Sequence, residues 1–279
     1  ELERITPYNK YKKEKQNKYG VSLFLNNNTN FTDMKLVYNS NALAITLFDI
    51  DNNLYPDIFV GNDMEINDYI FMCDKKGCLT KNLFNRTSFF TMSYDFGDID
   101  NDGYSESFSS DMLFYEPELR KEMEAEDDPD KLKFPSQVKR NVLQINKKGQ
   151  FIEDAENRGV AATGWSWSSK FGDVDNDGFL YLYVVNGMLK NYMTKDEKKA
   201  EKELIEENFM FINNGSGYFY NDKSLALNST RGGRGMSLAD LDNDGDLDIV
   251  ANNLLSNATL YVNNICNGND YLEFELLQS

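Results

Sequence analysis

The chain of 279 residues has no histidine, three cysteines and no apolar run that approaches the length of a membrane span. The absence of histidine excludes Ser-His-Asp and Cys-His catalysis, His-ligated zinc and the commonest general base near neutral pH. The cysteines, Cys73, Cys78 and Cys266, are too few for a thiolate metal site. A spanning helix needs about 20 consecutive apolar residues, so no membrane span is predicted.

Positive charge is also scarce. The 29 Lys and Arg residues stand against 46 Asp and Glu residues, which gives a net charge of −17. This balance argues against nucleic acids and anionic membranes as partners. Many of the acids fall in four short loops, so the acidity is interpreted mainly as a property of candidate metal sites.

Residues 240–248 are the clearest copy of a loop that occurs four times, with the other copies at 49–57, 98–106 and 173–181. We name them loop 240, loop 49, loop 98 and loop 173. The pattern has oxygen ligands at positions 1, 3 and 5, a glycine at position 6 and a carboxylate at position 9. Ca²⁺ takes six to eight oxygen ligands, and the glycine allows a sharp turn around the ion. The pattern therefore predicts calcium as the cofactor.

The candidate ligands are side-chain oxygens together with the main-chain carbonyl of position 7. They are Asp49, Asp51, Asn53, Asp57, Asp98, Asp100, Asp102, Tyr104, Glu106, Asp173, Asp175, Asp177, Phe179, Asp240, Asp242, Asp244, Asp246 and Asp248. Loop 49 has Leu54 in place of the glycine and loop 173 has Tyr181 in place of the last carboxylate, so both are expected to bind more weakly. The alternative for each loop is an Asp/Asn/Gly-rich turn without an ion.

The sequence around the loops predicts strands. An EF-hand needs an acid at position 12 and a helix after it, and no copy has that acid. Runs of β-branched and aromatic residues precede and follow each loop instead, as at 44–48 and 58–60. A second pair of runs follows with a Gly/Asn turn, as at 209–212 and 218–220. Four strands per repeat predict the blades of an all-β propeller.

About four and a half blades are predicted over 21–265, after a linker or insertion at 1–20, because the hairpin at 21–37 has no acidic loop before it. Most closed propellers have more blades, so a longer polypeptide or partner strands are expected to complete the ring. Charged insertions at 113–140 and 188–208 contain helix formers with opposite charges four residues apart, which predicts surface helices.

The repeated Asp-x-Asp-x-Asp-Gly-x-x-Asp loop between strands resembles the FG-GAP/VCBS repeats of integrin-type propellers. More specifically, the chain resembles the cartilage acidic protein/UnbV (ASPIC) family at residues 61–63, 163–167, 185–187 and 231–249. Residues 266–279 are similar to the lead-in to that family's C-terminal UnbV-type domain. The resemblance implies a seven-bladed, calcium-binding propeller, secreted or at the cell surface, with no established catalytic activity.

Two further pairs of residues have two interpretations each. Cys73 and Cys78 flank a predicted hairpin turn, where opposite residues are within disulfide reach, so they form either a bridge or two free thiols. Trp165 and Trp167 alternate along one predicted strand beside loop 173, where they either pack between blades or stack on sugar rings.

These features predict a non-catalytic, extracellular, calcium-stabilised scaffold for a protein or glycan partner, with the insertions 113–140 and 188–208 contributing the partner surface. Two alternatives stay open. The first is a structural subunit of a surface filament or outer-membrane assembly. The second is a polysaccharide-active enzyme with Tyr/Arg or paired-carboxylate chemistry, which a convergent acid pair outside the loops would favour.

Overall fold

A computed structural model describes residues 20–64, 66–115, 136–187, 206–265, 268–269 and 271. Throughout these ranges the regular structure is β-strand. No helix that is long and apolar enough to cross a membrane occurs among them. The strands are β1 (Val21–Asn26), β2 (Phe31–Val37), β3 (Ala42–Phe48), β4 (Asp57–Asn62), β5 (Tyr69–Asp74), β6 (Gly77–Thr80), β7 (Thr87–Ser88), β8 (Ser93–Gly97), β9 (Glu106–Ser110), β10 (Met112–Leu113), β11 (Gln137–Val138), β12 (Val142–Lys147), β13 (Gln150–Glu153), β14 (Gly164–Gly172), β15 (Tyr181–Asn186), β16 (Phe209–Asn213), β17 (Phe219–Asn221), β18 (Gly233–Ala239), β19 (Asp248–Asn253) and β20 (Thr259–Tyr261).

Hydrogen bonding groups these strands into four antiparallel blades in a propeller-like arrangement. Blade A is β3-β4-β5-β6, blade B is β8-β9-β12-β13, blade C is β14-β15-β16-β17, and blade D is β18-β19-β20. The hairpin β1-β2 forms a separate sheet before blade A. The predicted all-β propeller class is therefore confirmed, and the hairpin accounts for the predicted half blade.

The hydrophobic core lies between neighbouring blades because the second strands of blades A, B and C are covered on both faces. Every residue of β4 and of β15 is buried. Phe59 on β4 packs against Phe96 of blade B with ring centroids 4.4 Å apart. Phe108 of blade B meets Phe171 of blade C at 6.2 Å. Aromatic pairs at these separations add specific packing to area burial.

The acidic loops close the first hairpin of each blade in one common register. Phe48 pairs with Asp57 across loop 49, and Gly97 pairs with Glu106 across loop 98. Gly172 and Ala239 pair with position 9 of loops 173 and 240 in the same way. Because each loop joins the first strand of its blade to the second, all four loops lie at the same end of their blades.

Short strands that the sequence did not predict appear at both ends of the predicted insertion 113–140. Strand β10 pairs with β14 of blade C, and β11 pairs in parallel with β7. Two residues are too few to show a hydrophobic period. The helices predicted for these insertions fall on 116–135 and 188–205, which lie outside the described residues, as do 1–19, 266–267, 270 and 272–279.

Candidate metal-binding loops

The carboxylate at position 1 folds each loop around itself. In loop 98, Asp98 Oδ1 accepts a hydrogen bond from Asp102 N at 3.0 Å, and Oδ2 accepts one from Gly103 N at 2.9 Å. The first aspartates of the other loops accept the same two bonds from positions 5 and 6. The turn is therefore held by the loop's own backbone.

The carboxylate at position 9 ties the loop to the third strand of its blade. Asp57, Glu106 and Asp248 are all buried. Glu106 accepts hydrogen bonds from Ile99 N at 3.0 Å and from Asn146 N on β12 at 3.2 Å. Asp57 accepts equivalent bonds from Ile50 N at position 2 and from Cys73 N on β5. Asp248 accepts them from Leu241 N and from Asn263 N, which lies just after β20. A substitution at position 9 would therefore remove hydrogen bonds that hold the loop in place as well as a candidate ligand.

The side chain at position 5 accepts a hydrogen bond from the backbone N–H of position 7. The pairs are Asn53 with Tyr55, Asp102 with Tyr104, Asp177 with Phe179, and Asp244 with Asp246, at 2.8–3.0 Å. The loop conformation thus uses positions 1, 5 and 9 for hydrogen bonds that need no ion.

Position 3 differs from the other three acidic positions, as loop 98 shows best. Asp100 Oδ1 is buried and has no hydrogen-bond partner among the described residues. Its Oδ2 lies 3.4 Å from Lys147 Nζ. A buried carboxylate oxygen without a partner is costly unless a cation or a donor reaches it. A cation bound at this oxygen would supply the missing partner.

In every loop, three acids bring one oxygen each to within 4.8 Å of one another. The triads are Asp49, Asp51 and Asp57; Asp98, Asp100 and Glu106; Asp173, Asp175 and Asp177; and Asp240, Asp242 and Asp244. Two triads use position 9 and two use position 5. All donors are hard oxygens, which suit Ca²⁺ or Mg²⁺ rather than a thiophilic metal.

Burial and the repulsion between neighbouring carboxylates both raise the pKa values of acids in the loops. Burial raises the pKa of Glu106 to about 7, and the Asp100 and Asp102 carboxylates add to the rise. Burial likewise raises the pKa of Asp57 and of Asp173. A divalent cation would remove this repulsion by favouring the ionised carboxylates.

The two loops that depart from the pattern keep the loop backbone. Leu54 of loop 49 has φ of 74°, close to the 86°, 87° and 91° of Gly103, Gly178 and Gly245. A leucine in this left-handed region is strained, which glycine avoids. In loop 173, the hydroxyl of Tyr181 hydrogen-bonds to Asp175, so a neutral group stands where the other loops have a buried carboxylate.

Successive loops are hydrogen-bonded to one another. Asn101 Nδ2 of loop 98 donates to Gly178 O of loop 173 at 3.0 Å. Asn176 Nδ2 of loop 173 donates to Asp246 Oδ1 of loop 240 at 2.6 Å. Asn213 on β16 donates to Ile99 O of loop 98 at 2.7 Å. Loops 98, 173 and 240 therefore form one connected row.

The structure also shows the surroundings of the cysteine pair and of the tryptophan pair, each of which had two interpretations. Cys73 and Cys78 form a disulfide between β5 and β6. Trp167 is half-buried, donates from Nε1 to Gly187 O at 2.7 Å, and lies under the Arg234 guanidinium at 4.4 Å. For Trp167, packing between blades C and D is therefore favoured over stacking on a sugar. Trp165 is half-buried as well, with its backbone N–H donated to Glu206.

Sequence reasoning missed two acids at the other end of the blades, and the first of them is Asp68. It is half-buried between blades A and B. Its Oδ1 accepts a hydrogen bond from Asn62 N at 2.8 Å, and its Oδ2 accepts bonds from the hydroxyls of Tyr94 and Thr91. Burial raises the pKa of Asp68 to about 7.

Asp111 is a second buried acid in the same region. Its Oδ2 accepts hydrogen bonds from Phe89 N at 2.8 Å and Phe90 N at 2.9 Å. Burial raises the pKa of Asp111 to about 7, and the Asp68 carboxylate adds to the rise. Neither acid belongs to a sequence motif. The one available signal was the repeat alignment, which places asparagine at the equivalent positions of other blades.

Comparison with known proteins identifies one repeat. Residues 204–251 match the model of the FG-GAP-like repeat. This span holds β16 to most of β19 and includes loop 240. The repeat match and the four blades agree with the predicted FG-GAP-type propeller.

No curated protein matches the chain. Among solved structures, the chain is similar to an Agrocybe aegerita lectin that specifically recognises non-reducing terminal N-acetylglucosamine. The two share 14% identity with a TM-score of 0.47, over 90% of this chain and 58% of the lectin chain. The chain thus spans less than two thirds of the length of that lectin.

Proposed function

We propose that this protein is a non-catalytic, calcium-stabilised propeller scaffold that works outside the cell and presents a rigid surface to a protein or glycan partner. The observation that carries the proposal is the set of four acidic loops, one per blade and all at the same end. Membership of the cartilage acidic protein/UnbV family and completion of a seven-bladed ring belong to the same proposal.

Calcium fits the donor set of the loops. The residues that would hold it are the converging acids of each triad. In loop 98 the acid at position 3, Asp100, has an oxygen that accepts no hydrogen bond from the described residues, so this oxygen is available to the ion. A bound Ca²⁺ would neutralise the carboxylates and tie the first and second strands of its blade together. Asp/Asn-rich loops cannot supply that stability by apolar burial.

A location outside the cell is supported by two features. The Cys73–Cys78 disulfide is the kind of bond that persists in oxidising compartments. Loops that use calcium for stability suit a compartment where calcium is abundant, as it is for the extracellular modules that bind it. Both features favour a secreted or surface-displayed protein.

The partner surface is proposed at the end of the blades opposite the acidic loops. The insertions 113–140 and 188–208 join second to third strands, so they leave the blades there. Deleting 189–207 should abolish binding on a glycan array or to a purified surface protein while calcium binding is kept. Unchanged partner binding by the deletion variant would contradict this placement.

Replacing Asp242 by alanine is expected to remove calcium binding at loop 240 while leaving the calcium-free protein as stable as the wild type. Position 3 contributes an oxygen to the triad, whereas positions 1, 5 and 9 hold the loop backbone. Isothermal titration with calcium and thermal unfolding in chelator measure the two effects.

The matched variant is Asp248→Ala, which should lower stability even in chelator by about 1–3 kcal/mol. It leaves the part-buried N–H of Leu241 and the buried N–H of Asn263 without their acceptor. If Asp242→Ala binds as much calcium as the wild type, loop 240 is not a calcium site. A wild type that binds no calcium at all would overturn the proposed function.

Asn176→Ala should weaken calcium binding at loops 173 and 240 several-fold, because it removes the hydrogen bond between them. The control is Asn52→Ala in loop 49. Both asparagines have φ of 57°, so both substitutions carry the same backbone strain. Asn52 makes no cross-loop bond within the described ranges. Calcium titration measures both variants. An equal loss of calcium affinity in the two would show that calcium binding at neighbouring loops of the row is not coupled.

The enzyme alternative has one observation in its favour, the half-buried Asp68 with its pKa of about 7. A carboxyl group with that pKa can serve as a general acid or base. Both of its oxygens already accept hydrogen bonds, Oδ1 from Asn62 N within blade A and Oδ2 from the hydroxyls of Thr91 and Tyr94 on the side of blade B, which favours a structural role. Cleavage of a polysaccharide by the wild type but not by Asp68→Asn would reverse that preference.

A further inference from the structure

One face of β3 exposes three apolar side chains in a row. Leu43, Ile45 and Leu47 are 54%, 65% and 63% exposed. Ile45 and Leu47 alternate along the regular part of the strand, so they point to the same side of blade A. Leu43 lies at the β-bulge between Ala42 and Ala44 and is exposed as well. Contiguous apolar surface of this kind marks an interaction site in a soluble protein.

The equivalent positions of blade B show what covers such a face. Counted back from the first aspartate of the loop, they hold Met92, Tyr94 and Phe96. Met92 and Tyr94 are 9% and 4% exposed. Phe96 packs on Phe59, which lies on the second strand of blade A. The face of a first strand is therefore covered by the second strand of the preceding blade.

Blades C and D follow the same rule. Phe171 of blade C, at the position of Leu47, meets Phe108 on the second strand of blade B. Leu238 of blade D, also at that position, belongs to the core cluster that contains Tyr183 on the second strand of blade C. Blade A alone has no second strand before it within the described residues.

The hairpin β1-β2 is the outer half of such a preceding blade. Asn26 at the end of β1 accepts a hydrogen bond from Asn28 N at 2.8 Å. Asn213, at the end of the third strand of blade C, accepts one from Gly215 N at 3.0 Å. The hairpin covers β4 and β5 of blade A, where Ile58 and Phe71 are buried against it. It leaves β3 bare.

The inner side of this hairpin offers two more contacts. In complete blades the third strand pairs with the second, but within the described residues β1 pairs with β2 alone. Asn213 Nδ2 donates to Leu180 O in the acidic loop of its own blade at 3.2 Å. Asn26 is exposed, and its amide makes no such bond to a described residue. Among the residues that the structure describes, this surface therefore has no counterpart of the first two strands and the acidic loop of the other blades.

We propose that the β3 face and the open edge of β1 dock a further β-hairpin of the same repeat, with its acidic loop at the same end as loop 49. The second strand of this hairpin would pair with β1 by main-chain hydrogen bonds and bury Leu43, Ile45 and Leu47 under its apolar side chains. The added loop would lie beside loop 49, at the same end of the blades as the other acidic loops.

A second copy of the whole chain does not fit this surface. Its blade D could offer the second strand β19, but that strand already pairs with β20. Strand β20 would occupy the place that β1 holds beside the docking surface. The occupant must end after its second strand, as a hairpin does.

The test uses a fluorescent synthetic peptide with the sequence of residues 164–187, which contains β14, loop 173 and β15. Anisotropy titration with the full chain in about 1 mM calcium should show saturable binding. Ile45→Lys should weaken that binding by about tenfold or more, since it places a charge at the centre of the contact. Leu79→Lys is the matched control, because Leu79 is 78% exposed on the outer strand of blade A, and binding should be unchanged.

A second measurement tests the same contact in case the free peptide does not fold by itself. The 164–187 sequence is fused ahead of residue 1 through a Gly/Ser linker, and the fusion should melt at a higher temperature than the wild type. Ile45→Lys should cancel the increase and Leu79→Lys should not. Absence of both effects overturns the proposal. Self-association of the unmodified chain that Ile45→Lys abolishes, detected by sedimentation, would identify a second copy as the occupant and also overturn it.

Discussion

Removal of calcium by a chelator is expected to lower the midpoint of thermal unfolding by about 10 °C or more. A ligand that binds only the folded state stabilises it by RT ln(1 + [L]/Kd), about 2.7 kcal/mol per site at 100 times Kd. In a chain of this size each kcal/mol corresponds to roughly 2–4 °C. Even two filled loops would therefore produce a shift that calorimetry measures easily.

The measurement compares unfolding in calcium at about 100 times the Kd found by titration with unfolding in excess chelator, and with magnesium in place of calcium as the control. Magnesium prefers a small octahedral shell, so it should restore only part of the shift. The shift should shrink as the pH is lowered, because protons compete with calcium for the carboxylate ligands. An identical melting curve with and without calcium would contradict calcium stabilisation.

Loop 98 should respond to calcium differently from loop 240. Lys147 Nζ lies 3.4 Å from Asp100 and 3.8 Å from Asp102, so an ammonium group already offsets part of the charge. An entering ion must compete with that ammonium. Loop 240 has no lysine or arginine paired with its acids among the described residues, which makes it the better loop for substitutions that report on calcium alone.

The loops and the strands beside them could be predicted from sequence because both signals are local. The pattern fixes Asp98 and Gly103 within a few residues of each other, and their hydrogen bond closes inside the loop. The apolar run predicted at 182–185 forms the buried core of β15. The cysteine pair was placed across a hairpin turn for the same reason, and the structure joins it.

The environment of Asp68 could not be predicted, because it depends on packing between residues distant in sequence. Its partners Thr91 and Tyr94 belong to the next blade, and the local sequence around Asp68 carries no motif. The interpretation of Trp167 stayed open for a related reason. Its partner Arg234 lies in blade D, and only the stacking of blades C and D brings the two side chains together.

Asp68→Asn is expected to raise the stability of the folded protein above pH 7 and to leave it nearly unchanged near pH 4. Burial raises the pKa of Asp68 from 3.8 to about 7. Between these values the unfolded chain has lost the proton while the folded chain keeps it, so stability falls as pH rises. Above the folded pKa the full penalty is present, on the order of a few kcal/mol.

The amide suits the site because asparagine occupies the equivalent position of two other blades. Asn141 Oδ1 accepts a hydrogen bond from Asp111 N at 2.8 Å, and Asn208 Oδ1 accepts one from Asn186 N at 2.9 Å. Asp68 Oδ1 accepts the corresponding bond from Asn62 N at 2.8 Å, which an asparagine can keep. The hydroxyls of the Tyr94 and Thr91 side chains can turn to accept from the new amide.

The experiment follows chemical unfolding of wild type and Asp68→Asn from pH 4 to pH 8 in saturating calcium, which keeps the loop carboxylates ionised. The difference in unfolding free energy should grow in favour of the variant up to about pH 7 and then stay constant. Asp33→Asn is the control, because Asp33 is exposed on β2 and should give no pH-dependent difference. A variant that is less stable than the wild type at pH 8 would show that the ionised carboxylate of Asp68 strengthens the contact between blades A and B.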